Sequence, residues 1–351
     1  MRAVEELKIA VYGAGAMGTV LGAFLTDGGL KNVRLITRNQ AHVDGLNEHG
    51  ATIVCEAENN ERIIPVTALT PSQITEKYDV VFLMTKQRAN KEILEFLLPH
   101  LQEDAIVCTT QNGLPEESVA EVVGKDRTYG GVASFGATFI GGGKVALTSK
   151  LGGMGIQICG YENGNEKLQT LYEILSYAGK ATGNSAFVKT TDNLQGARWS
   201  KLAINAAFSG LSVVTGNTFG KIAKQRKSKK ITLGILRECI AVANAKGVKL
   251  EKMQGYDMEK FLGGKTAFWR FIAYLLLPFA MKKHKKLVSG MLKDVQNSRR
   301  CEIDYIDGVV VKKGEEAGIP TPLCRQVVEI AHGIENGLYE ISPKNLDFFE
   351  L

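Results

Sequence analysis

The sequence predicts an α/β fold, with a doubly wound sheet in an N-terminal domain and an all-helical C-terminal domain. Three observations support this prediction. Short apolar runs alternate with helical patterns in the first half of the chain, as in a parallel sheet covered by helices. A glycine-rich turn follows the first apolar run, at residues 13–18. After residue 193 the hydrophobic period becomes helical almost throughout. We expect domains at 1–190 and 191–351.

The first strand is predicted at Leu7 to Tyr12, the following helix stops at Gly28-Gly29, and a second strand spans residues 32–37. The turn between strand and helix consists of Gly13, Ala14, Gly15, Ala16, Met17 and Gly18. Its three glycines permit a tight turn, close approach of the backbone to a pyrophosphate, and close packing of helix on strand. This context favours a Rossmann-like dinucleotide site over an ordinary glycine turn. The free N–H groups at the helix start would bind the phosphates.

The end of the second strand predicts which dinucleotide binds. In this fold an acidic residue there accepts the ribose hydroxyls of NAD. Here the strand ends at Thr37-Arg38, and the next acidic residue is Asp44. A guanidinium can pair with a 2′-phosphate, so Arg38 favours NADPH, with a solvated surface arginine as the alternative.

The alternation of strands and helices continues through the first half. Helices are predicted at 40–49, 89–98 and 165–179, strands at 78–84, 105–110 and 186–189, and a hairpin at 51–66. Extended, glycine-rich segments at 128–140, 145–149 and 154–160 are expected to extend the sheet. Ligands bind at the carboxyl ends of such strands, where Lys86 and Asn112 fall.

Composition excludes several classes of protein. The 351 residues are 44% hydrophobic and 23% charged, with a net charge of +6, and the basic runs carry no nucleic-acid motif. Six scattered cysteines show no metal-binding spacing and are expected to be reduced and buried. No signal peptide is evident, and the apolar run Phe268 to Met281 falls short of the ~20 residues that span a bilayer. We therefore expect a soluble cytoplasmic protein without nucleic-acid, metal or membrane partners.

Residues 195–211 predict a buried helix with one polar face. Lys201, Asn205 and Ser209 recur every four residues and therefore lie on the same side of the helix. Polar groups in such an apolar helix require polar partners. The partner is either a carboxylate of another helix or a polar substrate, and the helix alone does not decide between them. Further along, Glu302 lies close to the apolar face of a predicted helix, and taken alone it is a surface salt-bridge residue.

Five motifs together resemble the ketopantoate reductase (2-dehydropantoate 2-reductase) family over almost the full chain. They are Gly13 to Gly18, Thr85-Lys86, Asn112-Gly113, Arg198 to Asn205 and Glu302 to Gly308. The resemblance implies a Rossmann domain and a helical domain with the active site between them. It also implies an NADPH-dependent reductase of a small anionic 2-oxo acid, first of all 2-dehydropantoate, in pantothenate and coenzyme A biosynthesis.

The resemblance assigns roles to individual residues. Lys201 is the general acid that protonates the ketone oxygen, and Glu302 orients the substrate hydroxyl or the cofactor ribose. Asn205 binds the substrate. Asn112 and Lys86 hold the cofactor and position its nicotinamide end next to the substrate. Ala137 lines the cofactor.

The chain departs from the family pattern around the substrate. Ser209 and Phe219 replace asparagines, and Gly290 replaces a carboxylate-binding serine for which the adjacent Ser289 is the substitute. These departures affect the choice of 2-oxo acid more than the reaction. A related oxo-acid reductase and a catalytically silent NADPH sensor are the alternatives. The segment 261–286 is expected to reshape the pocket or to form a subunit interface. Its apolar run Phe268 to Met281 is expected to bury against the helical core or against a second subunit in a homodimer, rather than in lipid.

Overall fold

The computed structural model describes residues 2–163, 166–252, 257, 259 and 267–350. The chain divides into two compact units. The first comprises Met1–Gln111 and Pro115–Leu194, and the second comprises Asn112–Leu114 and Gln195–Leu351. All strands of the described residues lie in the first unit, and the second unit is helical.

The elements follow in chain order. The strands are β1 Ile9–Tyr12, β2 Val33–Ile36, β3 Ala51–Cys55, β4 Asn60–Ile64, β5 Thr67–Leu69, β6 Tyr78–Leu83, β7 Leu101–Thr109, β8 Thr128–Ala133, β9 Ala137–Gly141, β10 Lys144–Leu147, β11 Ile156–Gly160 and β12 Val188–Thr190. The α-helices are α1 Ala16–Asp27, α2 Gln40–His49, α3 Asn90–Leu97, α4 Glu116–Val123, α5 Leu168–Thr182, α6 Leu194–Ile204, α7 Leu211–Thr215, α8 Phe219–Lys224, α9 Arg226–Ala245, α10 Ala267–Ala280, α11 Gly290–Gln296, α12 Ile303–Ala317 and α13 Pro322–Glu335. A π-helical segment, Asn205–Gly210, joins α6 to α7.

The larger sheet confirms the predicted doubly wound α/β fold. Among the described residues it has eight strands, in the order β12-β11-β8-β7-β6-β1-β2-β5. The neighbouring strands β8, β7, β6, β1, β2 and β5 pair in parallel, whereas β11 runs antiparallel to its neighbour β8. The chain goes from β1 to β2 on one side and returns to β6 on the other side of β1. Ligands of open α/β sheets bind beside such a reversal, at the carboxyl ends of the strands.

Both faces of this sheet are covered by apolar packing. Ile9 and Val11 of β1 belong to one core, which also contains the buried side chains of α1 and α5. Ala10 and Tyr12 point to a second core with the buried side chains of α3 and α4. Burial on both faces explains why the strands are continuous apolar runs rather than alternating ones.

A smaller sheet corrects one prediction. The segments 128–140, 145–149 and 154–160 were expected to extend the main sheet. Strands β8 and β11 do so, but β9 and β10 belong to a separate sheet with the order β4-β3-β10-β9. The predicted hairpin at 51–66 is confirmed as β3 and β4, and its strand β3 pairs in parallel with β10. This pairing buries Ile53 and Val145. It joins segments that are distant in the chain, so local patterns do not reveal it.

The helix predicted at 165–179 is shifted along the chain. Asn165, its predicted start, lies outside the described residues, and α5 runs from Leu168 to Thr182. Gly179 lies inside the helix, at a position with no space for a side chain, because an added Cβ would lie 2.8 Å from the carbonyl oxygen of Asn184. Gly183, in the left-handed region with φ of 65°, ends the helix instead.

The second unit packs around a core that includes Trp199, Phe208 and Leu236. The predicted burial of the apolar run is correct for part of it, since Ala273 and Leu277 of α10 and Met281, directly after this helix, are buried. Other large apolar side chains of α10 are exposed in the single chain: Phe268, Trp269, Phe271, Leu275, Leu276 and Phe279. Their burial against a second subunit stays a prediction. Residues 261–266 of this segment lie outside the described residues. Within the described part of the chain, none of the helices combines the length and apolar character that crossing a bilayer requires.

Candidate active site

The glycine turn is shaped as the sequence predicts. Gly13 has φ of +104°, and an added Cβ would lie 2.5 Å from the backbone nitrogen of Thr85. A Cβ at Gly18 would lie 2.4 Å from the carbonyl oxygen of Gly13, so helix α1 could not approach the turn. The nearest atom to a Cβ at Gly15 is 4.0 Å away. Gly13 and Gly18 therefore serve packing, while the open side of Gly15 fits the approach of a pyrophosphate to the backbone.

The carboxyl ends of β1, β2, β6 and β7 lie at one edge of the sheet, because these four strands are parallel neighbours. Arg38 follows β2 and is exposed. Burial raises the pKa of Tyr12, at the end of β1, and the nearby charge of Arg38 opposes this shift. Lys86 follows β6 and is half-buried. The first unit thus brings Arg38 and Lys86 to the edge that carries the glycine turn.

The remaining predicted cofactor residues have different surroundings. Asn112 follows β7 after Gln111 and is exposed. It belongs to the three-residue stretch that groups with the helical unit. Ala137 is the first residue of β9 and pairs with Leu147 in the smaller sheet. Their predicted contacts with the cofactor stay predictions.

The polar face predicted for the Lys201 helix is visible in the burial pattern. Between residues 198 and 215, all of which the structure describes, the half-buried positions are Lys201, Ile204, Asn205 and Ser209. The sequence predicts one continuous helix over residues 195–211. In the structure the α-helix ends at Ile204 and the π segment begins at Asn205. A step of four residues rotates slightly more than one full turn in an α-helix, which has about 3.6 residues per turn, and slightly less than one full turn in the wider π-helix. Because the two rotations deviate from a full turn in opposite directions, Ser209 lies on the same side of the helix as Lys201.

The pKa of Lys201 is shifted far from its ordinary value. Although the residue as a whole is half-buried rather than fully buried, burial lowers the pKa of its ammonium to about 7. The positive charge of Arg198, one turn earlier in α6, lowers the pKa further. Arg198 is 1% exposed. Arg198 begins the motif that ends at Asn205 but had no predicted role, and the signal that could have found it is an arginine three residues before the lysine in an apolar helix.

Glu302 and Ser289 each lie at the start of a helix. Glu302 is half-buried and directly precedes α12. Ser289 is buried, and its hydroxyl accepts a hydrogen bond of 3.1 Å from the backbone N–H of Met291. The Ser289 hydroxyl therefore caps α11, and it keeps its own hydrogen for a second acceptor. Substrate contacts of both residues stay predictions.

The positions where the sequence departs from the family pattern are occupied in different ways. Phe219 is buried in the core, with its ring centroid 5.3 Å from that of Phe208. A Cβ added at Gly290 would meet no atom within 4 Å. All six cysteines are buried, as predicted. Among the described residues, no group of three His, Cys, Asp or Glu side chains is arranged to hold a metal ion.

Comparisons with known proteins agree on one family. The model described as Ketopantoate reductase PanE/ApbA matches residues 9–158, and its C-terminal counterpart matches residues 193–335. The 2-dehydropantoate 2-reductase of Lactococcus lactis subsp. lactis is 26% identical, over 94% of this chain and 98% of that protein. A PanE/ApbA family ketopantoate reductase structure from Ralstonia eutropha JMP134 aligns with a TM-score of 0.76 and 25% identity, over 94% of this chain and 99% of its own. A structure of D-mandelate dehydrogenase with NADH and anilino(oxo)acetate shares the fold, with a TM-score of 0.79, 23% identity and coverage of 95% and 99%.

Proposed function

Because the chain belongs to the ketopantoate reductase family, an oxidoreductase family acting on CH–OH groups, we propose that it reduces 2-dehydropantoate to pantoate with NADPH. The observation that carries this proposal is the state of Lys201. A lysine with a pKa of about 7, on the accessible face of an otherwise buried helix, can donate a proton near neutral pH. A surface lysine with an ordinary pKa holds its proton too tightly for this work.

The proposed reaction needs one hydride and one proton. A nicotinamide cofactor whose pyrophosphate is held by the glycine turn would supply the hydride to the carbonyl carbon. The ammonium of Lys201 donates a hydrogen bond to the ketone oxygen and transfers its proton as negative charge develops there. The amide of Asn205, one turn further on the same face, orients the substrate. Glu302 accepts a hydrogen bond from a substrate hydroxyl.

Two features of the first unit support NADPH as the cofactor. Strand β2 ends without an acidic residue that would bind the ribose hydroxyls of NADH. The exposed guanidinium of Arg38 stands at the same strand end, and its planar fork suits a 2′-phosphate. Lys86 adds a second positive charge at this edge of the sheet.

A second candidate keeps the chemistry but changes the substrate. Phe219 contributes an apolar ring where the family pattern has an asparagine, and Gly290 leaves space where it has a carboxylate-binding serine. The space at Gly290 favours a bulkier 2-oxo acid, and the missing asparagine amide at position 219 favours a less polar one. The D-mandelate dehydrogenase with a similar fold holds anilino(oxo)acetate, an oxoacetate that carries an aromatic ring, together with NADH. An aromatic 2-oxo acid is therefore the second substrate class.

A panel of 2-oxo acids tests the proposal directly. Oxidation of NADPH and of NADH is followed with 2-dehydropantoate, with linear and branched 2-oxo acids, and with phenylglyoxylate. We expect the highest kcat/KM with 2-dehydropantoate and NADPH. A preference for phenylglyoxylate supports the second candidate. Binding of NADPH without turnover of any 2-oxo acid contradicts both and indicates a sensor protein.

We also propose that two copies of this chain associate through α10. Among the described residues, α10 exposes six large apolar side chains, and apolar patches of this kind mark interaction sites. We expect light scattering to give the mass of a homodimer and Phe271→Asp to shift it toward the monomer. Phe348→Asp, which changes an exposed phenylalanine elsewhere in the same unit, is the control. A wild-type protein that is monomeric at all concentrations contradicts this part of the proposal.

A further inference from the structure

Gln111 lies at the point where the chain leaves β7, immediately before Asn112. The residue is 5% exposed. Its side-chain nitrogen donates to the backbone oxygen of Thr85 at 2.8 Å and to Oδ1 of Asn90 at 2.7 Å. Its side-chain oxygen accepts from Oγ1 of Thr109 at 2.9 Å and from Nδ2 of Asn90 at 3.2 Å. A glutamine amide has two hydrogens and two lone pairs, and all four are engaged here.

Asn90 completes the network from the first turn of α3. Its amide returns both hydrogen bonds to Gln111, and its nitrogen also donates to Oγ of Ser118 in α4 at 3.0 Å. Asn90 is 3% exposed, so both amides are removed from water. Buried amides hold their position strongly, because each broken hydrogen bond leaves a desolvated polar group without a partner.

The acceptor Thr85 connects this network to the glycine turn. Thr85 directly precedes Lys86, and its backbone nitrogen lies against Gly13, where an added Cβ would be 2.5 Å away. A displacement of the Thr85 peptide would therefore move Lys86 and press on the turn. Gln111 itself directly precedes Asn112. One side chain thus ties together the ends of the neighbouring strands β7, β6 and β1.

We propose that Gln111 is a positioning residue of the dinucleotide site, which holds the Thr85-Lys86 backbone, the glycine turn and the start of Asn112 in register. This inference rests on the proposed function, because it assumes that a dinucleotide binds at these strand ends. Gln111 acts through the segments it holds and need not touch the cofactor.

The first experiment compares Gln111→Met with Thr110→Val. Methionine has a similar length but forms none of the four hydrogen bonds. Thr110 is the matched control, since it is the adjacent residue and buried, and its hydroxyl has no hydrogen-bond partner among the described residues. We expect Gln111→Met to raise the Kd and the KM for NADPH by roughly tenfold, with kcat at saturating NADPH near wild type. Thr110→Val should leave the Kd within about twofold of wild type. A folded Gln111→Met protein with a wild-type Kd overturns the inference.

The second experiment uses Gln111→Glu, which keeps the shape and makes the contact depend on pH. An ionised carboxylate would face the oxygens of Thr85 and Asn90, whereas the protonated acid can donate one hydrogen bond to Thr85. We expect the ratio of the variant Kd to the wild-type Kd to fall as the pH is lowered from 9 to 6. Equal ratios at both pH values overturn the inference, since a general loss of packing would not depend on this proton.

The wild-type titration separates this inference from the proposed function. A wild-type protein that binds neither NADPH nor NADH overturns both. Folded Gln111 variants that bind NADPH as tightly as the wild-type protein overturn the inference alone.

Discussion

A Cβ atom at Gly210 would lie 2.7 Å from Oδ2 of Asp307. Gly210 is the last residue of the π segment that follows Lys201, and Asp307 lies in α12, the helix that Glu302 precedes. The two helices that carry the proposed catalytic residues therefore meet at a glycine and a buried carboxyl. Burial raises the pKa of Asp307 well above its ordinary value and favours the neutral acid.

This contact predicts different outcomes for two glycine substitutions. Gly210→Ala should lower the free energy of unfolding by about 1–3 kcal/mol, because the added methyl group overpacks the Asp307 carboxyl. Gly308→Ala is the matched control in the facing helix. Its Cβ would lie 3.5 Å from the nearest atom, so we expect a gain of up to about 1 kcal/mol from higher helix propensity. Denaturant unfolding measures both. Equal stability of the two variants contradicts the close contact.

Arg38→Ala tests the choice of cofactor. We expect NADPH binding to weaken by about 1–3 kcal/mol, the range for a charge-assisted hydrogen bond, with little change for NADH. Arg226→Ala, which removes an exposed arginine of the helical unit, controls for the change in net charge. Titration of each variant with both cofactors gives the four affinities. Equal losses for NADPH and NADH after Arg38→Ala would show that Arg38 does not bind the 2′-phosphate.

The lowered pKa of Lys201 predicts the pH dependence of activity. A general acid must be protonated, and the pKa of Lys201 is about 7 rather than 10.5. The value of kcat/KM for reduction should therefore be constant below this pKa and fall about tenfold per pH unit above it. Initial rates between pH 5.5 and 9.5 measure this profile. A rate that stays constant up to pH 9 would exclude Lys201 as a donor with a pKa near 7.

The sequence was sufficient where structure depends on local pattern. The glycine turn, the helix at 40–49 and the polar face of the Lys201 helix follow from residue types at fixed spacings, and the structure reproduces them. The family match confirms the type of enzyme. These features depend on neighbours within a few positions, which a single sequence displays.

The features that sequence analysis missed depend on contacts between distant segments. The second sheet requires β3 to pair with β10 about ninety residues later. The network of Gln111 requires Asn90 and Thr85 to lie beside the end of β7. The exposed side of α10 shows the same limit, since apolar character indicates a need for a partner without stating which surface provides it.

Lys201→Ala tests the central claim most directly, with kcat, NADPH affinity and melting temperature measured on the same protein. Loss of the general acid should lower kcat by about 10²–10⁴. NADPH affinity should hardly change, since the residues proposed to hold the cofactor phosphates belong to the first unit. The melting temperature should also hold, because removing a buried charge of lowered pKa costs little stability. If Lys201 instead belongs to a structural ion pair, its loss should cost about 3–5 kcal/mol of stability. A Lys201→Ala protein that stays folded, binds NADPH and reduces its best 2-oxo acid at the wild-type rate would contradict the proposed mechanism.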